Sequence, residues 1–177
     1  MNIFKECINQ VDGKMIFTDN QELRQKMDLL VQTVNQNSKL PIPILTIYNP
    51  DKILQANKYI PNFMSNDYYY DDYTLVFSGY PTDENDDFLT DIELHSEKFN
   101  ILGIAINTNK NEAIQKLIEF GFEIAKNKET NFRNYSNDKD VLCFENLDVK
   151  IAIKMHNEKV SQLLISINTY CLGNRLY

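Results

Sequence analysis

The sequence predicts an α+β fold: an antiparallel sheet running as a meander, with helices packed on one face. Three observations carry this. Two segments repeat apolar residues at helical spacing, several others alternate apolar and polar residues with the period of a half-buried strand, and the later strands are joined by short turns rather than helical crossovers. A chain of 177 residues with 43% hydrophobic and 24% charged content can bury one core. It reads as a single domain over residues 1–177, or as two lobes sharing it, a helix-rich 1–80 and a strand–helix–meander 81–177.

Taken in order, "IFKECINQV" reads as a short helix ending at Gly13. A longer helix follows at about 20–36. Asp19 is placed to cap it with Glu22 three residues on, and Leu23, Met27, Leu30, Val31 and Val34 form its apolar stripe. "NSKLPIP" stops that helix, and "ILTIY" has strand composition, with Pro41 and Pro43 marking an edge or a strand start. "NPDKILQANKYIP" reads as a short helix with Asn49 as cap, Pro50 at its first position and Pro61 closing it. "NFMSNDYYYDDY" is irregular or partly extended.

"YTLVFSGY" and "FLTDIELH" read as a hairpin around the acidic "PTDENDD", with Phe88, Thr90, Ile92 and Leu94 inward and Asp91, Glu93 and His95 outward. "FNILGIAINTNKNEAIQKLIEFGF" reads as strand, helix and helix stop. Asn109 is the cap, with Glu112 in capping-box spacing; Ala113, Ile114, Leu117 and Ile118 make the buried face; Gly121 supplies a left-handed C′ residue and brings Phe122 back onto Leu117. Four strands complete the chain. "NFRNY" and "VLCFE" flank the turn "SNDKD"; "VKIAIKM" turns Val149, Ile151, Ile153 and Met155 inward and Lys150 and Lys154 outward; "VSQLLISIN" turns Leu163, Ile165 and Ile167 inward.

The run from "FNILGIAINTNKNEAIQKLIEFGF" through "VLCFE", "VKIAIKM" and "VSQLLISI", with the strand before it (residues 88–168), resembles the helix-plus-meander module of the β-lactamase-inhibitor-protein and outer-membrane-assembly-lipoprotein superfamily. It is also similar to modules of bacterial toxin-immunity proteins. That superfamily sets two helices before its sheet where one is evident here, and its tryptophans have no counterpart in a chain without Trp. The resemblance implies a binding scaffold and brings no active site with it.

Nothing in the chain forms a catalytic motif, and none of the residues points to an enzyme. His95 and His156 have no Ser or Cys partner at a motif spacing and read as solvated surface histidines; a catalytic triad assembled across the fold stays open. There is no G-x-G-x-x-G and no G-x-x-x-x-G-K to cradle a phosphate. "DENDDFLTDIEL" offers Asp83, Asn85 and Asp87 at the spacing of a calcium loop, but Phe88 stands where glycine is needed and Leu94 where a bidentate Glu belongs. No metal or cofactor is expected. Cys7, Cys143 and Cys171 are too far apart for a zinc site or a disulfide framework. With no apolar leader in "MNIFKECINQ" and no membrane-length apolar run, the chain reads as a cytoplasmic protein in a reducing compartment. Its 22 asparagines, with abundant Lys, Ile and Tyr, are the residues of AT-rich codons and point to a bacterial or phage source.

The charge is unevenly placed. Residues 59–97 hold ten Asp and Glu and no Lys or Arg, whereas the whole chain carries −7, so the remainder is net positive. Within the acidic segment "NDYYYDDY" sets Tyr68, Tyr69 and Tyr70 beside Asp71 and Asp72, and the loop beyond carries Asp83, Glu84, Asp86 and Asp87. The bland interpretation is a loop kept in solution by its acids. The functional one is an acidic, tyrosine-rich recognition surface, because Tyr gives large contact area at low entropic cost and carboxylates steer a cationic partner. On that basis the sequence points to an immunity-type or inhibitor protein that binds a basic protein partner, a toxin or nuclease, with no direct contact to nucleic acid or membrane. A phage-encoded nucleic-acid mimic and a carboxylate-dependent hydrolase are the alternatives.

Overall fold

The computed structural model describes residues 8–11, 14–17, 21–49, 53, 56–62, 65–78, 87–125 and 139–167. Ten strands and two helices are seen among them. They are β1 (Ile8–Val11), β2 (Lys14–Phe17), α1 (Gln21–Asn37), β3 (Lys58–Asn62), β4 (Ser65–Tyr69), β5 (Tyr73–Ser78) and β6 (Phe88–Leu94), followed by α2 (Lys110–Glu119), β7 (Glu123–Ile124), β8 (Val141–Asn146), β9 (Val149–His156) and β10 (Lys159–Ile167). β1 and β2 make a separate two-stranded ribbon. The other eight form one antiparallel sheet in the order β3-β4-β5-β6-β10-β9-β8-β7. The α+β class and the antiparallel meander are as the sequence predicts.

The sheet is two meanders set back to back. After β6 the chain passes through α2 to the far edge, lays down β7, and returns strand by strand until β10 pairs with β6. Each half is a helix followed by four antiparallel strands, and the last strand of one half meets the last strand of the other. The order reads the same from either edge, which makes the halves topological repeats without any repeat in the sequence.

Register places side chains in rows across the sheet, because partners in adjacent strands share a face. One row runs Tyr68, Leu75, Ile92, Ile165, Ile151 and Phe144. All six are buried, and they join one apolar cluster with the stripe of α1 (Leu23, Met27, Leu30, Val31, Val34) and with Ala113 and Leu117 of α2. At about 25 cal/mol per Å² of apolar surface removed from water, this burial is the main stabilising term for the sheet. On the opposite side, Val141, Cys143, Ala125 and Ala152 form a second, smaller buried cluster.

Several local expectations are corrected. Residues 8–11, expected in a short helix, pair antiparallel with residues 14–17; in the sequence, Asp12–Gly13 between two short runs is a turn signal that outweighs the apolar spacing. Residues 58–62, expected at the end of a short helix, are the edge strand β3, where Pro61 is tolerated because an edge leaves alternate N–H groups without a ladder partner. "ILTIY" makes only an isolated bridge at Ile47, because Asn35 of α1 captures the Ile44 backbone through both its amide groups, at 2.9 and 3.2 Å. "FNILGIAIN" is a tight turn, with Leu102 (φ 52°) and Gly103 (φ 74°) between Ile101 and Ile104, whose backbones exchange two 2.9 Å hydrogen bonds. In β6 a register shift opposite Val76–Phe77 buries Leu89 where Phe88 was expected. Lys150, expected outward, is 8% exposed, because β9 is covered on both faces. Burial holds its ammonium below the usual lysine pKa, against the opposing pull of Asp148 and Glu145. Asp19, Cys7, Cys171 and "NFRNY" lie outside the described residues.

Candidate functional site

The acidic segment folds into β3–β6, so an asymmetry along the chain becomes one across the sheet: its described acids Asp67, Asp71, Asp72, Asp87, Asp91 and Glu93 belong to one contiguous half. Within that half, alternation sorts them. Asp67 pairs with Val76 and Val76 with Asp91, while Tyr69 pairs with Thr74 and Thr74 with Glu93. These residues share the face opposite the main apolar cluster. Asp67, Tyr69, Asp91 and Glu93 stand there half-buried around Thr74 and Val76.

The consecutive tyrosines are separated by the same alternation. Tyr68 points into the core at 9% exposed, with its hydroxyl donating to the Tyr48 hydroxyl at 2.7 Å and its ring edge-on to Phe77. Tyr69 points the other way, with the Lys58 ammonium 5.7 Å from its ring centroid. Tyr70, just beyond the strand, is half-buried, its ring 4.5 Å from that of Tyr73. Burial first, then neighbouring groups, pushes all three phenols up: Tyr70 to about 12, Tyr68 further, and Tyr69 by burial and then by Asp67 and Glu93.

Two predicted acids sit at the β4–β5 turn. Asp71 is exposed and accepts from the Asn57 amide at 2.5 Å. Asp72 pairs with Lys98 at 2.6 Å, which holds its carboxyl below the usual range. Asp87 is half-buried and accepts from Asn66 at 2.8 Å. Asp83, Glu84 and Asp86 lie outside the described residues. The structure therefore gathers Asp67, Asp91 and Glu93, which the sequence-based candidate surface left out, around Tyr69, which it included. The period-two alternation of β6, which already turned Asp91 and Glu93 outward, was the signal that could have found them.

One polar network crosses from β6 to β10. Gln162 donates to Glu93 and also lies 3.2 Å from Nδ1 of His95, and Nε2 of His95 lies 3.4 Å from the Thr74 hydroxyl. With Gln162 as donor, Nδ1 accepts and Nε2 carries the ring proton, so His95 is set to donate to Thr74 rather than to take its proton. The arrangement positions side chains; it does not activate a nucleophile. Among the described residues no group of three or more His, Cys, Asp and Glu could hold a metal ion, and no helix is long and apolar enough to cross a membrane. Comparisons with protein-family models, curated proteins and solved structures found no match to this chain.

Proposed function

We propose that this protein is a binding module of the inhibitor or immunity type, which engages a basic protein partner through the acidic half of its sheet. One observation carries the reading: β3–β6 are contiguous both in the chain and in the sheet, and from residue 59 to 97 they and their connections supply ten carboxylates and no Lys or Arg. Lys58 opens β3, and after it the next lysines within described strands are Lys150, buried, and Lys154 and Lys159, in β9 and β10. A surface divided in this way attracts a cationic partner at long range and orients it on arrival. A rigid sheet suits recognition, since little conformational entropy remains to be lost on binding. The resemblance to inhibitor and immunity modules supports the same reading.

The test is association kinetics with a partner captured from the source organism. Neutralising Asp67, Asp91 and Glu93 together should slow association at low salt and leave the wild-type rate nearly matched at high salt, as the Debye length contracts from about 30 Å at 0.01 M to about 3 Å at 1 M. Equal rates for the two proteins at low salt would remove the surface from consideration.

A further inference from the structure

We propose that Tyr59 is a stacking platform for an arginine side chain of the basic partner; this rests on the reading above and narrows its chemistry. Tyr59 belongs to β3, and among the described residues no strand lies outside it in the sheet. Its ring is stacked on Tyr68 at 4.9 Å, and Tyr68 is in turn stacked on Tyr48 at 6.0 Å, so Tyr59 is the outer ring of a three-ring pile rooted in the core. Its hydroxyl donates to Asn66 at 2.7 Å, and the Asn66 amide donates to Asp87 at 2.8 Å. The ring is thus fixed at both ends, yet Tyr59 remains 50% exposed. An exposed large aromatic held in one orientation loses little entropy when a partner packs on it, which is the property of a binding anchor.

The charge around it selects the occupant. By register Tyr59 shares the face of Tyr68, where Asp87 closes the hydrogen-bonded chain beside the ring, while Asp67, Asp91 and Glu93 stand on the other face of the same strands. A cation is favoured there and a phosphate backbone is not. Among cations, the planar guanidinium stacks on an aromatic face and can also reach a carboxylate with its fork of donors, whereas an ammonium is a strongly hydrated point charge. The neighbouring tyrosine Tyr69, on the opposite face, already has the Lys58 ammonium near its ring, while Tyr59 keeps half its surface for a partner.

The experiment uses the full chain and fluorescence anisotropy with labelled oligo-arginine and oligo-lysine peptides of equal length at low salt. The wild type should prefer the arginine peptide by about two- to fivefold, the size of one exposed cation–π contact. Tyr59→Leu, which keeps apolar bulk against Tyr68, should abolish that preference while binding the lysine peptide as before; Tyr59→Phe should retain it. A preference that survives Tyr59→Leu, or none in the wild type, overturns the proposal and leaves the acidic-surface reading standing. Failure of both peptides to bind the wild type overturns both. Binding of a single-stranded oligonucleotide that Tyr59→Leu abolishes would also overturn it. Should Tyr59→Leu unfold, ring-proton NMR of the wild type decides: the arginine peptide must shift the Tyr59 signals more than the lysine peptide does, and equal shifts refute the assignment.

Discussion

Tyr68 and Tyr69 are neighbours in sequence and face opposite sides of one strand, so a run that reads as one aromatic patch is two environments. Tyr68 is a core residue whose hydroxyl is satisfied by Tyr48. Tyr68→Phe keeps the ring pile and removes that bond, and should lower stability by about 0.5–1.5 kcal/mol in a denaturant melt, part of it from the Tyr48 hydroxyl left behind. The raised phenols make a second expectation. A tyrosine is neutral when protonated, so a folded pKa above the ordinary 10 means the folded chain keeps protons that the unfolded chain gives up. That stability is fully present below about pH 10 and is lost as pH rises through about 12, where Tyr70 titrates. Tyrosinate absorbance followed with circular dichroism should show a late class of phenols released together with loss of structure; a single titration near pH 10 with the fold intact would contradict it. The run was visible in the sequence, but its partition was not, because period two applies only once residues 65–69 are known to be a strand.

At the scale of elements, the ends of α2 show what local sequence can and cannot specify. The stop at its C-terminus was legible, although Ile118, expected on the buried face, is exposed. Gly121 at φ 78° donates to Ile118 and Phe122 donates to Leu117, both at 2.9 Å, which is the Schellman pairing. Gly121→Ala forces a Cβ into the left-handed region and to 3.3 Å from the Asn146 amide, and should cost about 1–2 kcal/mol. The N-terminus was legible only in position. Asn109 is the N-cap residue, but its side chain makes no capping bond, and Glu112 pairs with Lys116 at 2.9 Å instead of reaching back. Asn109→Ala should therefore change the melting midpoint little, within about 0.5 kcal/mol, where a working cap would cost about 1 kcal/mol or more. Leu117 is fully buried, and Leu117→Ala should cost about 2–5 kcal/mol by the same melt. The misread segments share one cause. Ile44 is held by Asn35 and residues 101–104 by a turn in which Leu102 takes a positive φ, and both depend on contacts or strain that strand composition does not encode.

Across the whole molecule, alternation and turn spacing made the later strands readable, since β8, β9 and β10 follow one another through short connections. The seam that joins the halves was not readable. β6 and β10 are far apart in sequence, and their pairing, Leu94 with Leu163 through Asp91 with Ser166, follows from α2 carrying the chain to the opposite edge. That topology turns a stretch of acids into an acidic half-sheet, which is the basis of the functional reading. The most direct measurement is capture from the source organism with two baits, the wild type and the Asp67→Asn, Asp91→Asn, Glu93→Gln variant, each first shown by circular dichroism to be folded. A basic protein should be retained by the wild type, lost from the variant, and released from the wild type by raising salt toward 1 M, where the Debye length is about 3 Å. The same protein held equally by both baits, with no response to salt, would contradict the functional reading.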